Sequence, residues 1–209
     1  MLKFIHDYYN FPHQTKRKKG DTMSLDGFSM SALVHELADA LTGGRIDKIN
    51  QPNKQSIVLG IRQPGQNLLL YINTNAGNPS AHLIDTAPEN PAEPPTFVML
   101  LRKQLETGRI VAVRHEGRDR TIHLDIDVIA GGGRIVTRTL TLELIGKYSN
   151  IILHEDGIIT EALRRIGENT SRVRTVYKGL PYVLPPAQEK CDLLTADTED
   201  ILARVRAEG

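Results

Sequence analysis

From residue 45 to residue 163 the chain is a succession of short apolar segments separated by turn residues, broken by a helical period only once. Residues 45–50, 56–62, 68–73, 81–85, 109–115, 121–129, 135–145, 150–153 and 158–163 are each short and rich in Ile, Val and Leu, as strands are. Turn chemistry separates many of them: Pro64-Gly65-Gln66-Asn67, Gly131-Gly132-Gly133 and Asp156-Gly157. Strands joined by connections this short pair antiparallel, because a parallel neighbour needs a crossover of about a dozen residues.

Two amphipathic helices complete the pattern. Over residues 25–41 the apolar positions Leu25, Phe28, Leu33, Leu37, Ala40 and Leu41 recur at helical spacing, with Asp26 placed as N-cap. Gly43-Gly44 supplies the left-handed stop. Pro88, Pro91, Pro94 and Pro95 then mark an irregular connector, since none can donate a ladder hydrogen bond. A second helix over residues 96–107 follows Pro95, carries Phe97, Leu100, Leu101 and Leu105 on one side, and is closed by Gly108. The fold class is therefore α+β: a mostly antiparallel β-sandwich or open barrel flanked by two main helices.

The chain offers little bond-making chemistry. None of its seven histidines forms a His-x-x-x-His or His-Glu-x-x-His arrangement, and the single Cys191 cannot complete a zinc site or a disulfide. Gly-x-Ser-x-Gly is absent, and the triple glycine lacks the Lys-Ser/Thr of a phosphate loop, so it is a hairpin tip. Asp125 and Asp127 share one strand face with Thr121 and His123, and the apolar residues point the other way, which describes a solvated sheet face. No cofactor is implied. No apolar run reaches the roughly 20 residues that span a bilayer, so no membrane partner is expected.

Charge is distributed unevenly. The formal net charge is +1, but residues 1–22 contribute +3 and the remainder −2, so a polyanion must be held by a local patch. One basic cluster holds Arg102, Lys103, Arg109, Arg114, Arg118 and Arg120; another holds Arg164, Arg165, Arg172, Arg174 and Lys178. Either could neutralise several phosphates, with binding that weakens by about 0.7–0.9 log units per phosphate for each log unit of salt. Near them the aromatics are only Tyr148 and Tyr177, which favours recognition of nucleic acid by shape and backbone.

Five motifs then point one way. Met23-Ser24-Leu25-Asp26-Gly27, Glu89-Asn90-Pro91 through Pro94-Pro95-x-Phe97-x-Met99-Leu100-Leu101-Arg102-Lys103-x-Leu105, Gly117-x-Asp119-Arg120, and Gly146-Lys147-Tyr148-Ser149-Asn150-Ile151-Ile152-Leu153 resemble, in order, the N-terminal domain of the NFACT family. Arg174-Thr175 followed by Pro181-Tyr182-x-x-Pro185-Pro186 is similar to its exit segment. The family includes ribosome-quality-control factors, and older usage calls its bacterial members fibronectin-binding proteins.

The resemblance implies a non-catalytic, cytoplasmic RNA-binding module that recognises a large ribosomal subunit carrying peptidyl-tRNA. It would bring tRNA, alanine tRNA in bacteria, for message-independent C-terminal tailing, with the ribosome's peptidyl transferase centre making the bonds. It places the tRNA signature on Asp119 and Arg120. Arg118, Arg102 and Lys103 are the next contact candidates, followed by Lys147, Arg172 and Arg174. Alternatives are a fibronectin-binding surface adhesin and a ribosome-docking scaffold without direct tRNA contact. The architecture is also distantly similar to the N-terminal domain of formamidopyrimidine-type DNA glycosylases. Those enzymes use an N-terminal proline amine beside a glutamate; this chain has Ser24-Leu25-Asp26 there, so neither glycosylase chemistry nor a DNA partner is expected.

The domain organisation follows: a leader over residues 1–22, the N-terminal domain over 23–186, and a linker with the start of a truncated helical (helix-hairpin-helix) domain over 187–209. The leader ends Lys19-Gly20-Asp21-Thr22-Met23, codable as a ribosome-binding sequence before a start codon, so it reads as translated upstream message.

Overall fold

A computed structural model describes residues 27–115, 120–167 and 174–186. Helix α1 (Gly27–Leu41) leads into strands β1 (Arg45–Asn53), β2 (Ser56–Gln63), β3 (Gln66–Asn73) and β4 (Ser80–Ile84). After the proline-rich connector come helix α2 (Thr96–Leu105) and strands β5 (Arg109–His115), β6 (Thr121–Ile129), β7 (Ile135–Glu143), β8 (Asn150–Glu155) and β9 (Ile158–Ala162). The leader and residues 187–209 lie outside the described residues.

All nine strands form one antiparallel open sheet in the order β4-β3-β2-β1-β5-β6-β7-β8-β9. It is not two hydrogen-bonded sheets, because β1 and β5 join the halves, pairing Arg45 with Arg109. That narrow seam lets the halves share a single core. Ile46, Ile57, Leu59 and Leu70 from the first half and Ile122, Leu124, Leu140 and Leu153 from the second are buried in the same cluster. Arg164, just past β9, closes the far side by donating to the Thr74 carbonyl beyond β3 (3.4 Å).

The helices plug this core along apolar stripes. α1 buries Met30, Leu33, Val34, Leu37 and Leu41 at helical spacing and packs on β5. α2 buries Phe97, Val98, Leu101 and Leu105 against β1 and β6. Its stop differs from the expected one. Thr107 takes the left-handed conformation (φ 70), whereas Gly108 serves close approach: a Cβ there would stand 2.7 Å from both Ile126 Cγ2 and Val128 Cγ1 and 2.9 Å from the Leu105 carbonyl. The other turns follow their chemistry. Gly132 and Gly133 adopt positive φ at the tip of the β6–β7 hairpin, and Asp156 and Gly157 do so between β8 and β9.

A smaller second core lies apart from the first. Ile152, Ile159, Ala162 and Val176 are buried together, with Ile166 and Tyr182 packed against them. The exit segment makes this core by folding back. Val176 and Ile166 exchange backbone hydrogen bonds (2.8 and 2.9 Å), and the Ile159 amide donates to Leu180 (2.9 Å). The free edge of β9 is thereby covered, as edge strands require.

Gly108→Ala should destabilise the domain by about 2 kcal/mol, because two buried β-branched side chains and a backbone carbonyl must give way. Urea denaturation of the variant beside wild type measures it; an unchanged midpoint would mean that the α2–β6 approach is looser than described.

Candidate nucleic-acid interface

At one end of the second half-sheet the chain ends of β6, β7 and β8 and the exit of β9 converge. Thr121 at the start of β6 pairs with Glu143 at the end of β7, which pairs with Asn150 at the start of β8. Arg120 precedes this row, and its carbonyl accepts the Leu144 amide (2.8 Å). Beyond Leu144 a 3-10 turn, Gly146–Tyr148, carries Lys147 and Tyr148 outward.

Short polar contacts make the turn rigid. Ser149 donates its hydroxyl to the Gly146 carbonyl (2.7 Å), and the Tyr148 and Ser149 amides donate to Ile145 and Gly146 (2.9 and 3.1 Å). Asn150, fully buried, accepts the Arg164 amide (2.9 Å) and donates to the Arg164 carbonyl (2.8 Å). Arg164 in turn donates to the Lys147 carbonyl (2.9 Å). Arg120, Lys147 and Arg164 thus belong to one connected set of turns.

The other expected cations are placed differently. Arg174 lies against Glu143 in a bidentate pair (2.6 and 3.0 Å), its side chain 11% exposed and that of Glu143 2%. Its guanidinium also sits over the Tyr182 ring at 5.3 Å, so it is built into the exit segment. Arg102, on α2, donates to the Ile49 carbonyl (2.8 Å) and Asn50 Oδ1 (3.3 Å). It lines a cleft of ≈ 270 Å³ with Lys48, Gln51, Pro91, Pro94 and Pro95. Lys103 is exposed one residue further along α2. Asp119, Arg118 and Arg172 lie outside the described residues. In the sequence Arg164 is visible only as a member of its basic cluster, because nothing local announces the Asn150 clamp that positions it.

The face carrying Thr121, His123 and Asp125 is not solvated as the alternation suggests. The exit segment covers it, and Thr121 and His123 are buried. His123 Nδ1 lies 2.8 Å from Thr141 Oγ1, which lies 2.9 Å from His154 Nε2. Tyr182 stacks on His154 (4.7 Å, 6° between planes) and donates its hydroxyl to Glu143 (3.1 Å). Burial lowers both imidazoles to about 4, helped at His123 by Arg114 and at His154 by its neighbour His123, so both are neutral at pH 7. Burial alone would raise the Asp125 carboxyl. Hydrogen bonds from Arg114 (2.7 Å) and Thr139 (2.7 Å) outweigh it and hold the group below its usual range. Among the described residues no group of three or more His, Cys, Asp or Glu side chains is placed to hold a metal ion. None of the described helices is long and apolar enough to cross a membrane.

Known proteins share this fold and much of this sequence. The family profile described as NFACT N-terminal and middle domains matches residues 26–209. The Rqc2 homolog RqcH of Bacillus subtilis is 38% identical over 182 residues, covering 86% of this chain and 32% of that protein. Its namesake from Streptococcus pneumoniae D39 is 35% identical over 181 residues, covering 86% and 33%. The chain therefore spans about a third of the length of these curated relatives. Among solved structures, the N-terminal domain of fibronectin-binding protein PavA from Streptococcus pneumoniae superposes with a TM-score of 0.77 at 33% identity, covering 88% of this chain and 69% of that one. The N-terminal part of the fibronectin/fibrinogen-binding protein of Streptococcus suis gives 0.76 at 34% identity, covering 86% and 68%.

Two outcomes follow from the buried polar face. Arg174→Ala leaves the buried Glu143 without its cationic partner, with only the Tyr182 hydroxyl donating to it, and should cost about 3–5 kcal/mol of stability; a change below about 1 kcal/mol in urea denaturation, the range of an exposed pair, would mean that the pair is solvated. The histidines act through pH. Their folded-state values lie below the unfolded value of about 6.5, so the unfolded chain takes up protons first as pH falls. Their stabilising effect is complete above about pH 6.5 and declines as pH drops toward about 4. The denaturation midpoint should fall over that window, and less steeply in His154→Phe.

Proposed function

The chain belongs to the NFACT family, and from that membership we propose that it is the tRNA-engaging N-terminal module of a ribosome-quality-control factor. It is homologous to RqcH, and the wider role is the one that family implies. The factor binds a large ribosomal subunit still holding peptidyl-tRNA in the cytoplasm, and this module presents alanine tRNA to it. The peptidyl transferase centre of the ribosome makes the bonds, so the module binds and positions without catalysing.

One observation carries the reading: the turns at one end of the sheet bring Arg120, Lys147 and Arg164 together on a rigid frame. Neither Arg120, Lys147 nor Arg164 is ion-paired to a carboxylate of the described residues, whereas Arg174 and Arg165 are held by Glu143 and Glu161. An open cluster of cations in a chain of nearly zero net charge suits a phosphate backbone met locally. Arg120 stands at the entry of β6, where its planar guanidinium fork offers donors to phosphate or a base edge, and Asp119 precedes it in the sequence. Arg118, Arg102, Lys103 and Arg172 extend the proposed contact, and Arg174 supports it by holding the exit segment.

The names of the solved relatives suggest a second reading, adhesion to fibronectin. Both are tested together by titrating labelled alanine tRNA and fibronectin with the 209-residue chain and with Asp119→Ala/Arg120→Ala. Wild type should bind the tRNA with a steep salt dependence, and the folded double variant should bind roughly tenfold more weakly or worse. Equal binding by both proteins would remove the tRNA site from this turn, and saturable fibronectin binding without tRNA binding would favour adhesion.

A further inference from the structure

We propose that Tyr148 is a base-stacking platform, and that the Gly146–Tyr148 turn takes one unpaired nucleotide. Its base would lie on the phenol ring, with its phosphate against Lys147 and Arg164. The inference rests on the RNA-binding reading above and adds to it the class of RNA structure that the site accepts.

Tyr148 is 65% exposed, more than Tyr177 at 49%, although it sits in a turn closed by three hydrogen bonds. The fold makes no use of its ring as core: neither apolar cluster includes it. What the fold does secure is the backbone beneath it. Ser149 locks the turn onto Gly146, and the buried Asn150 ties the following residue to Arg164. The ring is thus held outward on a fixed base, which keeps low the ordering cost of a stacking contact.

The charges around the ring favour a nucleotide over a merely apolar partner. Lys147 Nζ stands over one face of the ring, 5.0 Å from its centroid, so the base would stack on the opposite face. Arg164 donates to two neutral carbonyls, those of Lys147 (2.9 Å) and Thr74 (3.4 Å), so its charge is directed there without being cancelled. Arg120 lies on the adjacent turn, its carbonyl bonded to Leu144. An aromatic face beside cations that pair with no carboxylate of the described residues is the combination that holds unpaired nucleotides, because every base offers a π-face and every linkage a phosphate. Bases inside a helix are already stacked and cannot reach the ring, so the site distinguishes unpaired from paired RNA.

The chain contains no tryptophan, so Tyr148→Trp introduces a single fluorophore at the site. The probes are a labelled ten-nucleotide unpaired RNA and a duplex RNA of the same length, each titrated with the 209-residue chain. Tryptophan emission should be quenched by the unpaired strand and much less by the duplex. Tyr148→Ala should weaken binding of the unpaired strand roughly tenfold while leaving the salt slope unchanged, and Tyr148→Phe should restore it. Lys147→Ala should instead lower the slope by about 0.7. Unquenched emission at saturating RNA, or an alanine variant that binds the unpaired strand like wild type, overturns the stacking proposal while leaving the RNA reading intact. Failure of wild type to bind either RNA or alanine tRNA overturns both. Unfolding of each variant in urea shows whether any loss comes from the fold; Tyr148 is exposed enough that the midpoint should not move.

Discussion

A sheet of nine antiparallel strands has two faces to cover, and with two α-helices packed on it among the described residues the chain must cover most of that area with itself. The first half-sheet and the second meet at a narrow seam, Arg45 against Arg109, and share one apolar cluster that α1 and α2 close. That arrangement buries the inner faces. It leaves the outer face of β6, β7 and β8, which the alternation of β6 supplies with Thr, His and Asp side chains, and which the exit segment covers in turn. The covering works because the charged groups there are answered, Asp125 by Arg114 and Thr139 and Glu143 by Arg174 and Tyr182, while Thr141 bridges one nitrogen of each histidine; Thr121 Oγ1 and His123 Nε2 have no hydrogen-bond partner among the described residues.

This dependence sorts the cations by use. A guanidinium that answers a buried carboxylate is fixed in the fold, because removing it strands a charge in a low-dielectric interior. Arg174 is of that kind, and Arg165 is held by Glu161 at 2.7 Å, although Arg165 itself is more exposed. A cation that meets only neutral carbonyls keeps its long-range field. Arg164 is of this second kind, and Lys147, whose ammonium meets the Tyr148 ring, stands beside it at the end of the sheet where Arg120 enters β6. Sequence proximity had grouped Arg164, Arg165 and Arg174 together; their partners divide them.

Local information carried much of the fold. The core face of β6, Ile122, Leu124, Ile126 and Val128, is where the alternation puts it, and the glycine-bearing turns bend where their residues require. What could not be read depends on residues distant in sequence. Nothing near His123 announces that residues 174–186 return to cover it, so its face reads as solvated. The pairing of Glu143 with Arg174 spans 31 residues, and the closure of Arg164 onto Thr74 spans 90. Gly108 was legible as important but for a different reason: the left-handed turn falls on Thr107, and the glycine is there because Ile126 and Val128 leave no room for a Cβ. In the candidate interface the basic residues were visible as clusters, while the Asn150 clamp that aims Arg164 exists only in the folded chain.

The balance of charge outside the leader bears on how such a module would choose its RNA. With residues 23–209 at −2, the domain as a whole does not attract polyanions, so a partner gains little from approaching any surface but the cationic end. Three cations on rigid turns neutralise only a few phosphates, which limits affinity for RNA of arbitrary sequence and shape. Under that limit the remaining binding energy must come from geometry. A fixed turn supplies it because the Arg164 guanidinium is already held on the Lys147 and Thr74 carbonyls and the backbone of Arg120 is bonded to Leu144 before the ligand arrives. Weak attraction combined with a preorganised contact set favours a ligand held in place by a second anchor. A chain that covers about a third of its curated relatives' length leaves room for that anchor elsewhere in proteins of this family.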